Sequence, residues 1–348
     1  MKVIPFLFLA FFIVPLKAEI LVVESDDNSI SLLKEPNLSV EKRIFAGQNP
    51  FKIAVSKTDN KAYVTNFESH TITAIDLATG KVSDTFPAGD HPEDIVLTPD
   101  NRFLYVTNKF KSQIKCIDLA TTKIVATISV ERDPTSLTMD PQGKFLYVLS
   151  RAGNTLTAIS IKDNQIFKTI SVGRENNIPS SLALTPDGKT LYVANEIDST
   201  LLVLETDTLE TKSIFSVDFH PTTVSVSDDG QEVFVVCNQY ELNGSSNTLY
   251  VIDRSEKTKV ADLKRSENRK GHSIKTLKLD NKKNIEGHKL IQKIDIGEAR
   301  GKILENSKTR TLYLLNKGDN AINVIDLKLG KMTSTIPVGR APTDLGHY

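Results

Sequence analysis

Histidine and carboxylate side chains are the groups in this chain best suited to acid–base or metal chemistry, and several of them recur at one kind of position. His91, Asp133 and His220 each stand directly before a proline, as do Asn49, Ile178 and Ala341. Ala299 holds the matching position before Arg300, where proline is replaced. Arg132 and Arg340 precede two of these positions, and Asp90 precedes His91. Imidazole and carboxylate are ligands for Zn²⁺ or Cu²⁺, and with the arginines the set is polar and mixed in charge. The candidate ligand-binding residues are therefore His91, Asp133, His220, Arg132, Arg300 and Arg340. Local catalytic signatures are missing: the sequence has no Gly-x-Ser-x-Gly, His-Glu-x-x-His, Gly-x-x-x-x-Gly-Lys or Cys-x-x-Cys-His. Walker-type nucleotide binding and covalent c-type haem are disfavoured. Ser25-Asp26-Asp27-Asn28 lacks the spacing and terminal Glu of an EF-hand, and reads as a solvated turn.

What positions these residues is a repeat. Tyr-Val-Thr-Asn begins at Tyr63 and again at Tyr105, with diverged copies from Tyr147, Tyr192, Phe234 and Tyr313 at intervals of 42, 42, 45, 42 and 79 residues. Each unit holds four short β-forming runs separated by turn residues such as Asp187-Gly188 and Asp229-Gly230. No stretch keeps a helical apolar period over three turns. A period of roughly 40–45 residues with four strands predicts a β-propeller, one blade per repeat. Leu21 lies 42 residues before Tyr63, so Glu19–Ala46 is a first copy that starts at its second strand. The chain ends on Val338–Tyr348, a first strand with no second after it. The expected fold is all-β: a seven-bladed propeller of four-stranded blades, closed by the C-terminal strand completing the N-terminal blade. Closure removes unpaired strand edges.

That ring bears on the chemistry. The residues before proline, and the loops between second and third strands, gather at one mouth of the central channel. His70, in the 67–70 loop, belongs to the same face. His91 and His220 open blades three steps apart, so metal bonds of ~2.1 Å cannot reach both. A hydrated polar rim and a ligand spanning the mouth are the two readings of this set. No metal, cofactor or catalytic residue is assigned.

The repeat resembles the YVTN family of β-propeller proteins over nearly all of 19–348. The resemblance rests on Tyr-Val-x-Asn, Ile-Asp-x-x-Thr-Gly, Thr169-Ile170-Ser171-Val172-Gly173 and Pro186-Asp187-Gly188-Lys189. It implies a surface-layer or periplasmic binding protein. Related propellers belong to quinone, haem and copper oxidoreductases, lactonases and lyases. The shared motif residues are structural, so the resemblance carries over no catalytic residue, and function by fold is analogy only.

Met1-Lys2, the apolar run Val3–Val14 and Ala18 read as a signal peptide over 1–18, too short to span a bilayer at ~20 residues. Export to a periplasm or the medium follows, with no transmembrane segment after cleavage. Cys116 and Cys237 fall three blades apart and are expected unpaired. Formal net charge is +0, giving no nucleic-acid footprint. Blade six is 37 residues longer than the usual repeat. Its insertion, at about 264–289, has nine Lys/Arg against three Asp/Glu, net +6, leaving −8 for the rest of the chain without 1–18. Lys264, Arg265, Arg269, Lys270, Lys275, Lys278, Lys282 and Lys283 are the candidate partner-binding arm; Ile274, Leu277 and Leu279 suggest a short strand or hairpin within it. The arm docks an anionic partner or surface, or it lies as a hairpin on the acidic body. The functional expectation is an exported binding or scaffold propeller using its mouth or arm for a protein or surface ligand, more a binder than an enzyme. The alternative is a periplasmic enzyme or redox-accessory subunit with a small-molecule or metal site at the mouth.

Overall fold

The computed structural model describes residues 20–35, 37–174, 177–217, 219–238, 247–254, 276–278, 288–299 and 301–348. The expected signal peptide, Arg300 and the arm residues Lys264, Arg265, Arg269, Lys270, Lys275, Lys282 and Lys283 lie outside the described residues. Seven sheets, each built on four antiparallel strands, form the ring. Blade one is completed by the C-terminal strand: Pro342–His347 pairs with Ile20–Glu24, setting Leu21 opposite Gly346 and Val22 opposite Leu345. Blades two to five open with inner strands Pro50–Ser56, Pro92–Leu97, Pro134–Met139 and Pro179–Leu184. Blades six and seven open with Pro221–Val226 and Ile303–Asn306.

The burial pattern explains why second strands are conserved in type around the ring. Phe103–Asn108 is buried at five consecutive positions, whereas the outermost strand of blade two, Lys81–Pro87, is exposed at all but Phe86. A second strand is covered on both faces by neighbouring blades, so it needs apolar residues on both. The described core falls into seven clusters, one at each junction. Between blades two and three, for example, Tyr63, Ile72 and Phe86 pack on Ile95, Leu104, Val106 and Ile117. Each side chain of this size gains about 1.5–3 kcal/mol from burial.

The terminal Asn of the repeat is a clamp. Asn108 Nδ2 donates to the Ala88 carbonyl at 3.0 Å, and Asn66 Oδ1 accepts the Gly47 N–H at 3.0 Å. Both bonds tie the end of a second strand to the loop feeding the inner strand. The Gly of that loop is forced by the same packing: a Cβ on Gly89, at φ +88°, would sit 2.0 Å from Asn108 Oδ1. In the closing blade, the fully buried Glu24 takes the Asn position. It accepts the Gly339 N–H at 2.7 Å and the hydroxyls of Ser29 and Ser31 at 2.8 and 2.7 Å. The acidic turn beside it is not simply solvated. Arg340 donates from Nε to Asp27 Oδ1 at 2.7 Å, a second tie across the seam.

Cys116 and Cys237 are buried and are not joined by a disulfide. The insertion of blade six reaches back to blade five. Thr276–Lys278 runs parallel to the outer strand Thr211–Ser216, with Leu277 opposite Phe215. Lys278 is thus the arm residue placed in the fold. His288 is buried, within 2.6 Å of the Tyr192 hydroxyl and 5.0 Å of the Phe215 ring. No helix among the described residues is long and apolar enough to cross a membrane.

Candidate functional site: the channel and its mouth

The inner strands bulge near their start. In blade two the register shifts between Pro50 and Ile53, and in blade three between Pro92 and Ile95. The Thr of Tyr-Val-Thr-Asn serves this bulge: Thr65 accepts the Lys52 N–H at 3.0 Å, and Thr107 accepts the Asp94 N–H at 2.8 Å. The bulge turns the second residue after each of the opening prolines, or after position 300 in blade seven, into the channel. Read round the ring from blade one, these are Asp344, Lys52, Asp94, Ser136, Ser181, Thr223 and Lys302, all lining a channel of 570 Å³. Four consecutive blades, seven to three, alternate lysine and aspartate; the remaining three supply hydroxyls.

The charges are used between blades. Asp344 Oδ2 accepts the Ile53 N–H of the next blade at 3.0 Å, while Oδ1 lies 3.4 Å from Lys52 Nζ and 3.9 Å from Lys302 Nζ. Asp94 Oδ2 accepts the Leu137 N–H at 2.7 Å, and Ser181 Oγ accepts the Val224 N–H at 3.1 Å. These are equivalent contacts at three junctions. Burial raises the Asp94 carboxyl above its ordinary range, against the pull of Lys52. Lys52 is raised as well: burial lowers it, but Asp344, Asp94 and Glu93 more than offset that.

At the mouth, backbone geometry accounts for part of the polar set. His91, Asp133 and His220 have φ of 47°, 60° and 50°, left-handed values at which Asn, Asp and His are enriched. Asn49 and Ala341 share the conformation, at 53° and 48°. Lys109 Nζ sits 3.0 Å from Glu93 and 3.6 Å from Asp133, bridging blades three and four. Burial raises the Glu93 carboxyl, opposed by Lys109. Arg132 contributes its carbonyl, which accepts the Gly153 N–H at 3.0 Å. Arg340 is held by Asp27. His220 opens blade six, away from His91.

His91 is gathered instead with residues of blades two and three. Its ring lies 4.5 Å from His70, 5.0 Å from Phe67 and 4.8 Å from Phe110, and Phe51 stands 6.0 Å from Phe67. Phe110 is 62 % exposed, so this cluster presents an aromatic face at the mouth. His91 Nδ1 is 3.1 Å from Asp90 Oδ1, and the His91 N–H donates to His70 Nδ1 at 3.0 Å. Sequence reasoning placed His70 and His91 on one face but missed their pairing with Asp90. It missed the channel ring altogether, although reading two residues past each of those prolines, and past Arg300, would have revealed it.

Comparison with known proteins agrees with the architecture. A family described as Lactonase, 7-bladed beta-propeller, matches residues 52–166, about a third of the chain. No curated protein matches the sequence. A functionally unknown protein from Desulfotomaculum acetoxidans DSM 771 is similar in structure, with a TM-score of 0.76 at 18 % identity over 94 % of this chain and 98 % of that one. Hydrazine synthase of Kuenenia stuttgartiensis gives 0.68 at 18 % identity, over 84 % and 88 %. The dihydro-heme d1 dehydrogenase NirN, in complex with DHE, gives 0.62 at 12 % identity, over 95 % and 75 %. At such identities the likeness is one of fold. The chain is a seven-bladed β-propeller, and its function must be argued from its own residues.

Proposed function

We propose that this chain is an exported binding propeller that engages a protein or surface ligand through its mouth, with the basic insertion of blade six as a second contact. The observation that carries this reading is the contiguous aromatic and histidine face of Phe51, Phe67, His70, His91 and Phe110. Exposed aromatic side chains in a polar rim are the usual anchors of a protein interface. The channel charges favour the same reading, because Asp344 is paired with Lys52 and Lys302, and Asp344 and Asp94 each accept an inter-blade N–H. The test is capture from the envelope fraction of the source cells, using wild type, Phe67→Ser with Phe110→Ser, and a chain lacking 264–289. Loss of the captured partner with the aromatic variant supports the mouth; salt-sensitive loss with the deletion supports the arm. Capture unaffected by both overturns the proposal. Cell fractionation and N-terminal sequencing test export: the mature chain begins at Glu19.

A second reading is a hydrolytic or redox-accessory role at the same mouth. It is favoured by the lactonase-family match, since residues 52–166 contain Glu93, Lys109 and Asp133, an acid–base set at the mouth. Lactone hydrolysis abolished by Glu93→Gln, or a cofactor band in the absorption spectrum of native protein, would favour this reading over the first.

A further inference from the structure

We propose that His70, Asp90 and His91 form a binding site for a divalent transition metal of the Zn²⁺ or Cu²⁺ type. The site shares His70 and His91 with the aromatic face above, but metal binding is read without any partner, so it can fail or hold separately from that role. Its donors come from two adjacent loops, the 67–70 loop of blade two and the loop feeding the inner strand of blade three. One ligand atom from each lies within 4.8 Å of the others. A tetrahedral ion with metal–donor bonds of ~2.1 Å needs its donors about 3.4 Å apart, and His91 Nδ1 and Asp90 Oδ1 already stand at 3.1 Å. His70 has to move by about an ångström or slightly more to complete the set. It is exposed at a loop tip, so the movement meets no core side chain, though it shifts the edge contact with the His91 ring.

Two further observations point to a cation here. His91 Nδ1 is buried and faces the Asp90 carboxylate, yet the two are not aligned as a hydrogen bond. A metal between them would satisfy both. Phe67 and Phe110 flank the His91 ring, reducing water around it and strengthening attraction for a cation. The local backbone fixes the arrangement, with His70 at φ 59° and His91 at φ 47°. His70 Nδ1 accepts the His91 N–H, so coordination through Nδ1 gives up that hydrogen bond, whereas coordination through Nε2 leaves it in place. Imidazole and carboxylate suit Zn²⁺ and Cu²⁺ better than Ca²⁺ or Mg²⁺, which prefer oxygen-only sets. Three protein donors leave one position for water or a ligand at the mouth, as at open zinc sites.

Isothermal titration of untagged, chelator-stripped full-length protein with ZnCl₂ and CuCl₂ tests the site. Wild type is expected to bind one equivalent with Kd of about 1 μM or tighter. His70→Ala and His91→Asn are each expected to weaken binding by at least about tenfold, while His220→Ala leaves it unchanged. Positions 70, 91 and 220 all have left-handed backbone, at φ 59°, 47° and 50°, which Asn tolerates better than Ala, so circular dichroism and thermal melting verify the fold of every variant. Absence of stoichiometric binding in wild type overturns the proposal. So does binding retained by a folded His70→Ala/His91→Asn double variant, or binding lost equally in His220→Ala.

Discussion

Replacing Asp344 with Ala should unfasten the ring at its seam. Asp344 is 1 % exposed on the C-terminal strand and holds three blades: its own, blade two through Ile53 N–H and Lys52, and blade seven through Lys302. Removing the carboxylate orphans the Ile53 N–H, at about 1–3 kcal/mol. It also leaves Lys52 without its nearest anion, and breaking a buried pair from one side costs about 3–5 kcal/mol. The two terms overlap, and Lys52 keeps about a quarter of its side chain in channel water (24 % exposed), which screens the pair. A net loss of about 3–4 kcal/mol is therefore expected. Roughly 300 residues of propeller at about 2.1 cal/mol/K each give an unfolding entropy near 0.6 kcal/mol/K, so Tm should fall by about 5–7 °C. Asp344→Asn keeps an acceptor for Ile53 and should lose about half as much. A double-mutant cycle with Lys52→Met should return a coupling of at least about 0.5 kcal/mol. Calorimetry and urea unfolding measure all three, with Asp84→Ala on the exposed outer strand of blade two as the reference. If Asp344→Ala lies within about 1 kcal/mol of wild type, or the cycle shows no coupling, the carboxylate is not a seam latch and the reasoning fails.

Other consequences follow from the same contacts. Deleting residues 339–348 removes the inner strand of blade one and should destabilise the whole ring cooperatively; an unchanged melting curve would contradict closure. Asn108→Ala takes away the clamp on Ala88 and should cost about 1–3 kcal/mol by urea unfolding. Asn108→Ala with Gly89→Ala should not cost the sum of the two, because the Asn is what a Cβ at position 89 meets. Turn carboxylates set the acid limit. Asp76 is lowered by the Thr79 N–H, Asp100 by the Thr98 hydroxyl and Asp229 by the Ser227 hydroxyl. Folded values below the unfolded one mean stability present above about pH 4 and lost as pH falls through the folded values. Tm should accordingly hold near pH 5–7 and drop below about pH 4. Asp94 works in the opposite sense: its folded value is raised, so protonation on acidification favours the fold, and Asp94→Asn should steepen the acid loss. His288→Ala leaves the Tyr192 hydroxyl short of its 2.6 Å partner in the core of blade five and should cost about 1–3 kcal/mol.

The sequence by itself determined the scaffold of this protein. Blade number, strand phase and the split closing blade were legible because each blade repeats the same physical problem. A second strand covered on both faces demands Tyr-Val or an equivalent, and its end demands a side chain that can hold the next loop. Such local needs leave a periodic mark. The departures were visible too, and two acquired reasons only in space. Glu24 replaces the clamping Asn where the two termini meet, and the basic insertion of blade six lends a strand to blade five. What the tertiary structure alone decided is who meets whom across blades. His91 and His220 share a position in the repeat but open blades three steps apart, whereas His70, Asp90 and His91 come together from adjoining loops. Lys52 and Asp344, 292 residues apart, become neighbours because the ring closes. Repeat periodicity records the environment within a blade. A site built between blades depends on ring closure and loop geometry, which no single repeat encodes.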